Sequence, residues 1–228
     1  MTSSAIFPAS LKNKLIVSCQ ALPGDPLDHP DTLRRIAISV LRGGAGGLRA
    51  NGAGCITAFR QETDLPIIGI LKRFENGKPD ITPDFTSAKT ISDAGADLIG
   101  MDCSAGRFAS CEPWPQLLTR IRQELNKPVL ADIATLDEAL AAEQAGADAV
   151  ATTMFGYTPE TVGQRSISWT LVEQLVNSVH LPVIVEGHVR QADEIRRAFD
   201  LGAFAVVVGA AITQPEAITA RFIAGIQH

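Results

Sequence analysis

Apolar residues along this chain come in short runs that alternate with amphipathic stretches. One kind of run follows a recurring motif: GGAGGLRA around Gly44, DAGADLIGMD around Gly95, QAGADAVATT around Gly146 and DLGAFAVVVGA around Gly202. Each copy reads as a helix end, a glycine stop, an alanine and then an apolar strand. Between the copies fall four further strands, KLIVSCQA, LPIIGILKR, KPVLADIA and LPVIVEGH. Three of them open at a proline, which is tolerated as the first residue of a strand.

The intervening stretches predict helices over 31–42, 52–62, 83–94, 113–126, 136–145, 167–179, 190–201 and 215–226. Asp31-Thr32, Thr82-Pro83, Thr135-Leu136-Asp137-Glu138 and Gln214-Pro215-Glu216 read as helix starts. Strands and helices alternating eight times without a linker predict an α/β fold, a single (β/α)8 TIM barrel over residues 1–228. A doubly wound open sheet is the alternative, and near-equal units favour closure.

Composition narrows the function. The chain of 228 residues is 46% hydrophobic but only 5% aromatic, so Ala, Val, Ile and Leu build a core that lets helices approach a sheet closely. A net charge of −5 argues against a nucleic-acid partner, which needs clustered positive charge. Cys19, Cys55, Cys103 and Cys111 form no CxxC pair and read as reduced intracellular thiols. The start, MTSSAIFPASLKNK, lacks a basic segment followed by an apolar core, and no apolar run approaches the roughly 18–20 residues of a membrane span. The expectation is a cytoplasmic protein with no membrane partner.

The chemistry sits at the strand ends. Active sites of such barrels lie at the C-terminal face of the strands. Lys72 follows Pro66 by six residues, while Asp132 and Glu186 follow Pro128 and Pro182 by four. Side chains alternate along a strand, so even offsets put all three on one face. With Gln20 ending the first strand, they predict a polar cluster at the barrel mouth. A lysine there is pulled both ways: desolvation lowers its pKa and carboxylates raise it. It can act as a general acid/base or, when neutral, as a Schiff-base nucleophile. The plainer reading makes Lys72 a structural ion-pair partner of Asp132 or Glu186.

Loops after strands seven and eight commonly bind phosphate through backbone N–H groups. EGHV and VGAAITQPE occupy those places, which nominates Gly187, His188, Gly209 and Ala210; the alternative makes the two glycines turn residues. Arg49, ending strand two, is a further donor for a phosphate or sugar oxygen, although a surface position is the default for an arginine. Asp102 ends strand four and reads either as a hydrogen-bond partner of lysine or sugar or as structural. His29, His180 and His228 have no visible partner. No histidine–carboxylate set on successive strands suggests a metal, and no Ser-His-Asp pattern or GxGxxG follows a strand.

The pieces LIVSCQA, GLRANG, PIIGILKR, ADIAT, TTMFGYT, EGHV and VVGAAIT, in this order, resemble the bacterial N-acetylmannosamine-6-phosphate 2-epimerases of sialic acid catabolism. The resemblance implies a cofactor-free barrel enzyme that interconverts N-acetylmannosamine 6-phosphate and N-acetylglucosamine 6-phosphate. It matches Lys72 and Glu186 to catalytic positions, and Gln20, Arg49 and Asp132 to substrate-binding ones. Related barrels often dimerise, so a homodimer is compatible with it. The chain departs from the family at Ala50-Asn51-Gly52, at Ser104-Ala105-Gly106-Arg107-Phe108, and at Gln214, where relatives carry arginine.

Two other classes stay open. A Schiff-base phosphosugar aldolase would use Lys72 as nucleophile. A non-catalytic sugar-phosphate-binding protein would keep the pocket without turnover, as the three departures would allow. Ribulose-phosphate 3-epimerases share the barrel but need metal-binding histidines at strand ends, which this chain lacks.

Overall fold

A computed structural model of the chain describes residues 6–75 and 77–226; His228 and the first five residues of the segment MTSSAIFPASLKNK fall outside them. Strand β1 (Lys14–Cys19) leads into helix α1 (Pro30–Arg42), then β2 (Gly47–Asn51), α2 (Ala53–Arg60) and β3 (Ile67–Ile70). A short pair follows, β4 (Lys72–Glu75) and β5 (Lys78–Ile81), before α3 (Phe85–Asp93) and β6 (Leu98–Asp102). Next come α4 (Trp114–Arg120), β7 (Val129–Asp132), α5 (Leu136–Gln144), β8 (Ala149–Ala151), α6 (Trp169–Ser178), β9 (Val183–Glu186) and α7 (Ala192–Asp200). β10 (Ala205–Val208) and two helices, α8 (Ala210–Thr213) and α9 (Pro215–Ala224), complete the chain.

The strands close into a parallel barrel in the order β1-β10-β9-β8-β7-β6-β3-β2. The (β/α)8 expectation is met, with β1 against β10 at Val17↔Val208 as the closing seam. The recurring glycines do what the motif requires. Gly44, Gly95, Gly146 and Gly202 all take φ between 92° and 105°, a left-handed turn that costs glycine little.

Alternation sorts the core into two layers. Ile16, Ile68, Leu98, Leu130, Ile184 and Val207 fill the barrel interior, joined from below by Leu11. Residues of opposite parity, such as Val17, Leu48, Ile67 and Ile99, pack outward with α-helical residues including Phe59 and Ile91. Phe7 meets the Phe204 ring edge-on, 5.7 Å between centroids, beside this lower plug. The bottom is therefore apolar, and polar groups collect at the top.

Several boundaries differ from the sequence reading. Thr135 caps α5 with a reciprocal capping box to Glu138, as read, and Gln214 precedes Pro215 at the start of α9. For α1 the cap is His29, whose Nδ1 accepts from the Asp31 N–H at 3.2 Å, with Pro30 at the first helical position. Thr82 is not a cap. It sits buried at φ 53° and gives its hydroxyl to the Gly100 carbonyl at 2.6 Å, leaving Asp84 to cap α3. The helix expected over 113–126 passes from α4 into a π-turn at Ile121–Leu125 and stops at Asn126, φ 50°. The β4–β5 hairpin was not foreseen, although Asn76-Gly77 is a strong two-residue hairpin signal. Its flanks, KRFE and KPDI, lack the apolar alternation that marks a strand.

Candidate active site

Parity explains how the polar cluster forms. In β7 Leu130 points into the barrel, so Asp132 does too; in β9 Ile184 does the same for Glu186. On β2 the inward position beside Leu48 is Arg49. It is 1% exposed, so the default surface reading fails.

The Arg49 guanidinium organises the mouth. Nη1 and Nη2 donate to the two oxygens of Asp132 at 3.0 and 2.6 Å, a bidentate pair, and Nη1 also donates to Glu186 Oε2 at 2.5 Å. Thr153 closes the network: its Oγ1 donates to Asp132 Oδ1 at 2.5 Å. Thr152, its neighbour, pins the end of β9 by exchanging hydrogen bonds with the Glu186 backbone at 2.8 and 3.0 Å. Burial alone would work against the Arg49 charge, but Asp132 and then Glu186 outweigh it and hold the guanidinium charged. Glu186 is shifted up from the usual carboxylate range, mainly by burial and with help from Asp132, against the pull of Arg49 and Lys72.

Lys72 lies two residues beyond the end of β3, at the first position of β4. Its parity continues that of Ile68 and Ile70, so the expected face is right although the expected strand is one element short. Its backbone N–H donates to Asn51 Oδ1 at 2.9 Å, and its Nζ makes no hydrogen bond or ion pair among the described residues. Burial first, and then the Arg49 charge, pull its pKa down to about 8, against Glu186 and Asp132. The plain ion-pair reading of Lys72 is not met: Asp132 and Glu186 bind Arg49 instead.

Gln20 follows β1 and is buried; its Nε2 donates to Ser18 Oγ at 2.7 Å while its Oε1 has no partner among the described residues. A buried acceptor without a donor is costly unless a bound group supplies one. Asp102 ends β6 in register with Asp132. Burial first, then Asp80 and Asp132, push its carboxyl up to about 7 even though Ser104 donates to it.

The two glycine loops lie at the same rim. Gly187, at φ 93°, and His188, at φ 60°, follow β9. His188 Nε2 contacts the Phe155 carbonyl at 3.1 Å and its ring stacks on Tyr157, which settles it as half-buried rather than free on the surface. Gly209 follows β10, where a Cβ would come within 3.3 Å of the Ser18 Cβ. The N–H groups of Gly187, His188, Ala210 and Ala211 donate to no other group among the described residues. Among those residues no trio of His, Cys, Asp or Glu is arranged to hold a metal. His180 is exposed beside Glu143 at the far end of α6.

Sequence reasoning passed over Thr153, Asn51 and Ser18. Thr153 lies in a short 3-10 turn, Thr152–Met154, past the end of β8, where strand alternation no longer tells which way a side chain points. Asn51 and Ser18 act through contacts that no local pattern announces.

Residues 33–228 match the model of the family "NanE: Putative N-acetylmannosamine-6-phosphate epimerase". A Cutibacterium acnes protein bearing the corresponding 2-epimerase name is 40% identical over 216 residues, 94% of each chain. The solved structure of the N-acetylmannosamine-6-phosphate 2-epimerase from Clostridium perfringens is 38% identical and superposes with a TM-score of 0.89 over 94% of each chain. A thiamine phosphate pyrophosphorylase from Pyrococcus furiosus, 19% identical with a TM-score of 0.64 over 93% of each chain, shares the fold alone. On the strength of the family match and these identities, the chain belongs to the NanE family of N-acetylmannosamine-6-phosphate epimerases.

Proposed function

We propose that this chain interconverts N-acetylmannosamine 6-phosphate and N-acetylglucosamine 6-phosphate by moving the proton on C2, with Lys72 as the group that moves it. The observation that carries the reading is a lysine with its pKa drawn to about 8, set among Arg49, Glu186 and Asp132 at the barrel mouth. About one such lysine in ten is neutral at pH 7, enough to act as a base. In the open-chain sugar the adjacent carbonyl acidifies the C2 hydrogen. The Lys72 amine takes that proton and becomes an ammonium; the C2–H electron pair moves into the enolate. Water on the opposite face of the planar enolate then gives C2 a proton, which inverts the centre. The hydroxide left behind takes the proton from the Lys72 ammonium to restore the amine. The ammonium also offsets the charge developing on the enolate oxygen.

In this reading Glu186 tunes Lys72 and polarises the sugar, while Arg49 and Asp132 hold Glu186 in place and border the substrate. Gln20 offers its unpartnered Oε1 to a sugar hydroxyl or amide N–H. Gly187, His188, Gly209 and Ala210 hold the phosphate, supported by the N–H groups of Gly187, His188 and Ala210, which have no partner among the described residues. Phosphate binding then fixes C2 beside Lys72, converting binding energy into orientation. For an assembly partner we propose a second copy of this chain: α9 buries none of its residues, leaving Phe222 and Ile223 exposed, and Ile226 just past it is exposed too.

Proton NMR of N-acetylmannosamine 6-phosphate with the protein in D₂O tests the reaction. The expected result is loss of the C2–H signal with growth of the gluco isomer, and a drop of about 10²–10⁴-fold in Lys72→Ala with an unchanged circular dichroism spectrum. Undiminished exchange in that variant would remove Lys72 from the reaction. A lysine adduct trapped by borohydride would instead favour Schiff-base chemistry.

A further inference from the structure

The proton-moving residue of the reading above does not stand on a stave of the barrel. Lys72 opens a hairpin whose two strands are four residues each, and a lone two-stranded hairpin is marginal in water. Its outer positions, Phe74, Glu75, Lys78 and Pro79, are exposed. Something else must hold it down.

Asp80 is 1% exposed, and Arg107, from the loop after β6, has a side chain only 6% exposed. Arg107 Nη1 donates to Asp80 Oδ1 at 3.3 Å and to the Asp102 carbonyl at 2.8 Å. Nη2 donates to the carbonyls of Thr82 and Pro83 at 3.2 and 2.8 Å, and Nε to that of Glu112 at 3.3 Å. The Phe108 N–H donates to the other Asp80 oxygen at 3.1 Å. One guanidinium thus ties the end of β5 to the loop after β6, a task suited to a planar fork of five donors and not to an ammonium. The register matters here: Ile81, next to Asp80, lies directly across from Lys72. On its other side Lys72 is gripped through its N–H by Asn51 of β2.

We propose that the Asp80–Arg107 pair is a latch that positions Lys72, holding the hairpin over the barrel mouth so that the lysine stays out of water and beside the reacting carbon. Both are positioning residues; neither touches the sugar. The role of Lys72 in this proposal rests on the epimerase reading. The charged groups that face Lys72 are Arg49 of β2, Asp132 of β7 and Glu186 of β9. A loosened hairpin leaves those groups where they are but gives the lysine solvent. Its pKa then rises toward the ordinary lysine value, and less of it is neutral at a given pH.

The test uses Asp80→Asn and Arg107→Lys in the full chain; the second keeps a buried cation opposite Asp80 and so preserves the fold if the first does not. Acylation of Lys72 by a small amine-reactive ester, followed by mass spectrometry across pH, reports the lysine's own titration whatever reaction it serves. The expected result is a midpoint moved up by about one unit and kcat lowered by about tenfold, with KM changed by less than about twofold. A lower melting temperature with midpoint and kcat both unmoved would overturn the latch and leave the pair a purely structural tie. Should the wild type leave C2–H unexchanged, the epimerase reading falls, while the acylation midpoint still decides whether the latch controls Lys72.

Discussion

Arg49 meets Asp132 with both terminal nitrogens and Glu186 with one of them, so its loss would strand two buried carboxylates. Removing one member of such a buried set typically costs about 3–5 kcal/mol. Asp102 is the opposite case, a buried carboxyl with no cation among its influences. Its folded pKa, about 7, lies above the unfolded value. The stability it contributes is therefore present in acid and is lost as pH rises through about 7. Asp102→Asn should melt higher than the wild type at pH 8.5, by about 2–4 kcal/mol, and equally at pH 4, because the amide oxygen can still accept from the Ser104 N–H. A difference independent of pH would show that the carboxyl is not protonated in the fold. Gln214, half-buried at the start of α9, makes no side-chain capping bond. Gln214→Arg should lower KM for the sugar phosphate while leaving kcat within about twofold, since a charge-assisted bond is about twice as strong as a neutral one. An unchanged or raised KM would mean that another group already holds the phosphate.

Among the elements, β6 carries the tightest constraint on the site. At Gly100 a Cβ would stand 2.8 Å from Ile70 Cγ2 and 3.4 Å from Arg49 Nη2. The arginine's place inside the barrel therefore depends on the missing side chain of a stave two places away, across β3. Gly100→Ala should cost about 1–3 kcal/mol by overpacking and lower activity by displacing the guanidinium. Stability lost without any change in exchange rate would show that Ile70 alone absorbs the methyl. The recurring glycine stops and the strands after them were legible because each is a local device: a left-handed turn followed by apolar alternation. The hairpin bearing Lys72 was not, because Arg107 and Asp80 hold it by contacts across 27 residues rather than by an apolar face of its own.

At the scale of the molecule, the apolar plug of Leu11 and Phe7 closes one end of the barrel and leaves charge to the other. Closure followed from eight near-equal units without a linker, and the common face of Lys72, Asp132 and Glu186 from counting residues past each proline. Which partner each charge takes did not follow. Arg49 finds Asp132 across 83 residues and Glu186 across 137, and only the closed barrel brings these together. The exposed apolar side of α9 belongs to this scale too. Sedimentation velocity should give twice the 24.2 kDa chain mass, and Phe222→Lys with Ile226→Lys should return it to one chain. A wild-type chain sedimenting at its own mass would remove the second copy.

The charged trio inside the barrel also has a thermal consequence. Hydration of ions weakens as temperature rises, so the penalty for keeping Arg49, Asp132 and Glu186 away from water shrinks on warming. The apolar layers around them gain nothing comparable. Heat should therefore loosen the helical coat while the ionic centre grows relatively firmer, and cold should strain the centre first.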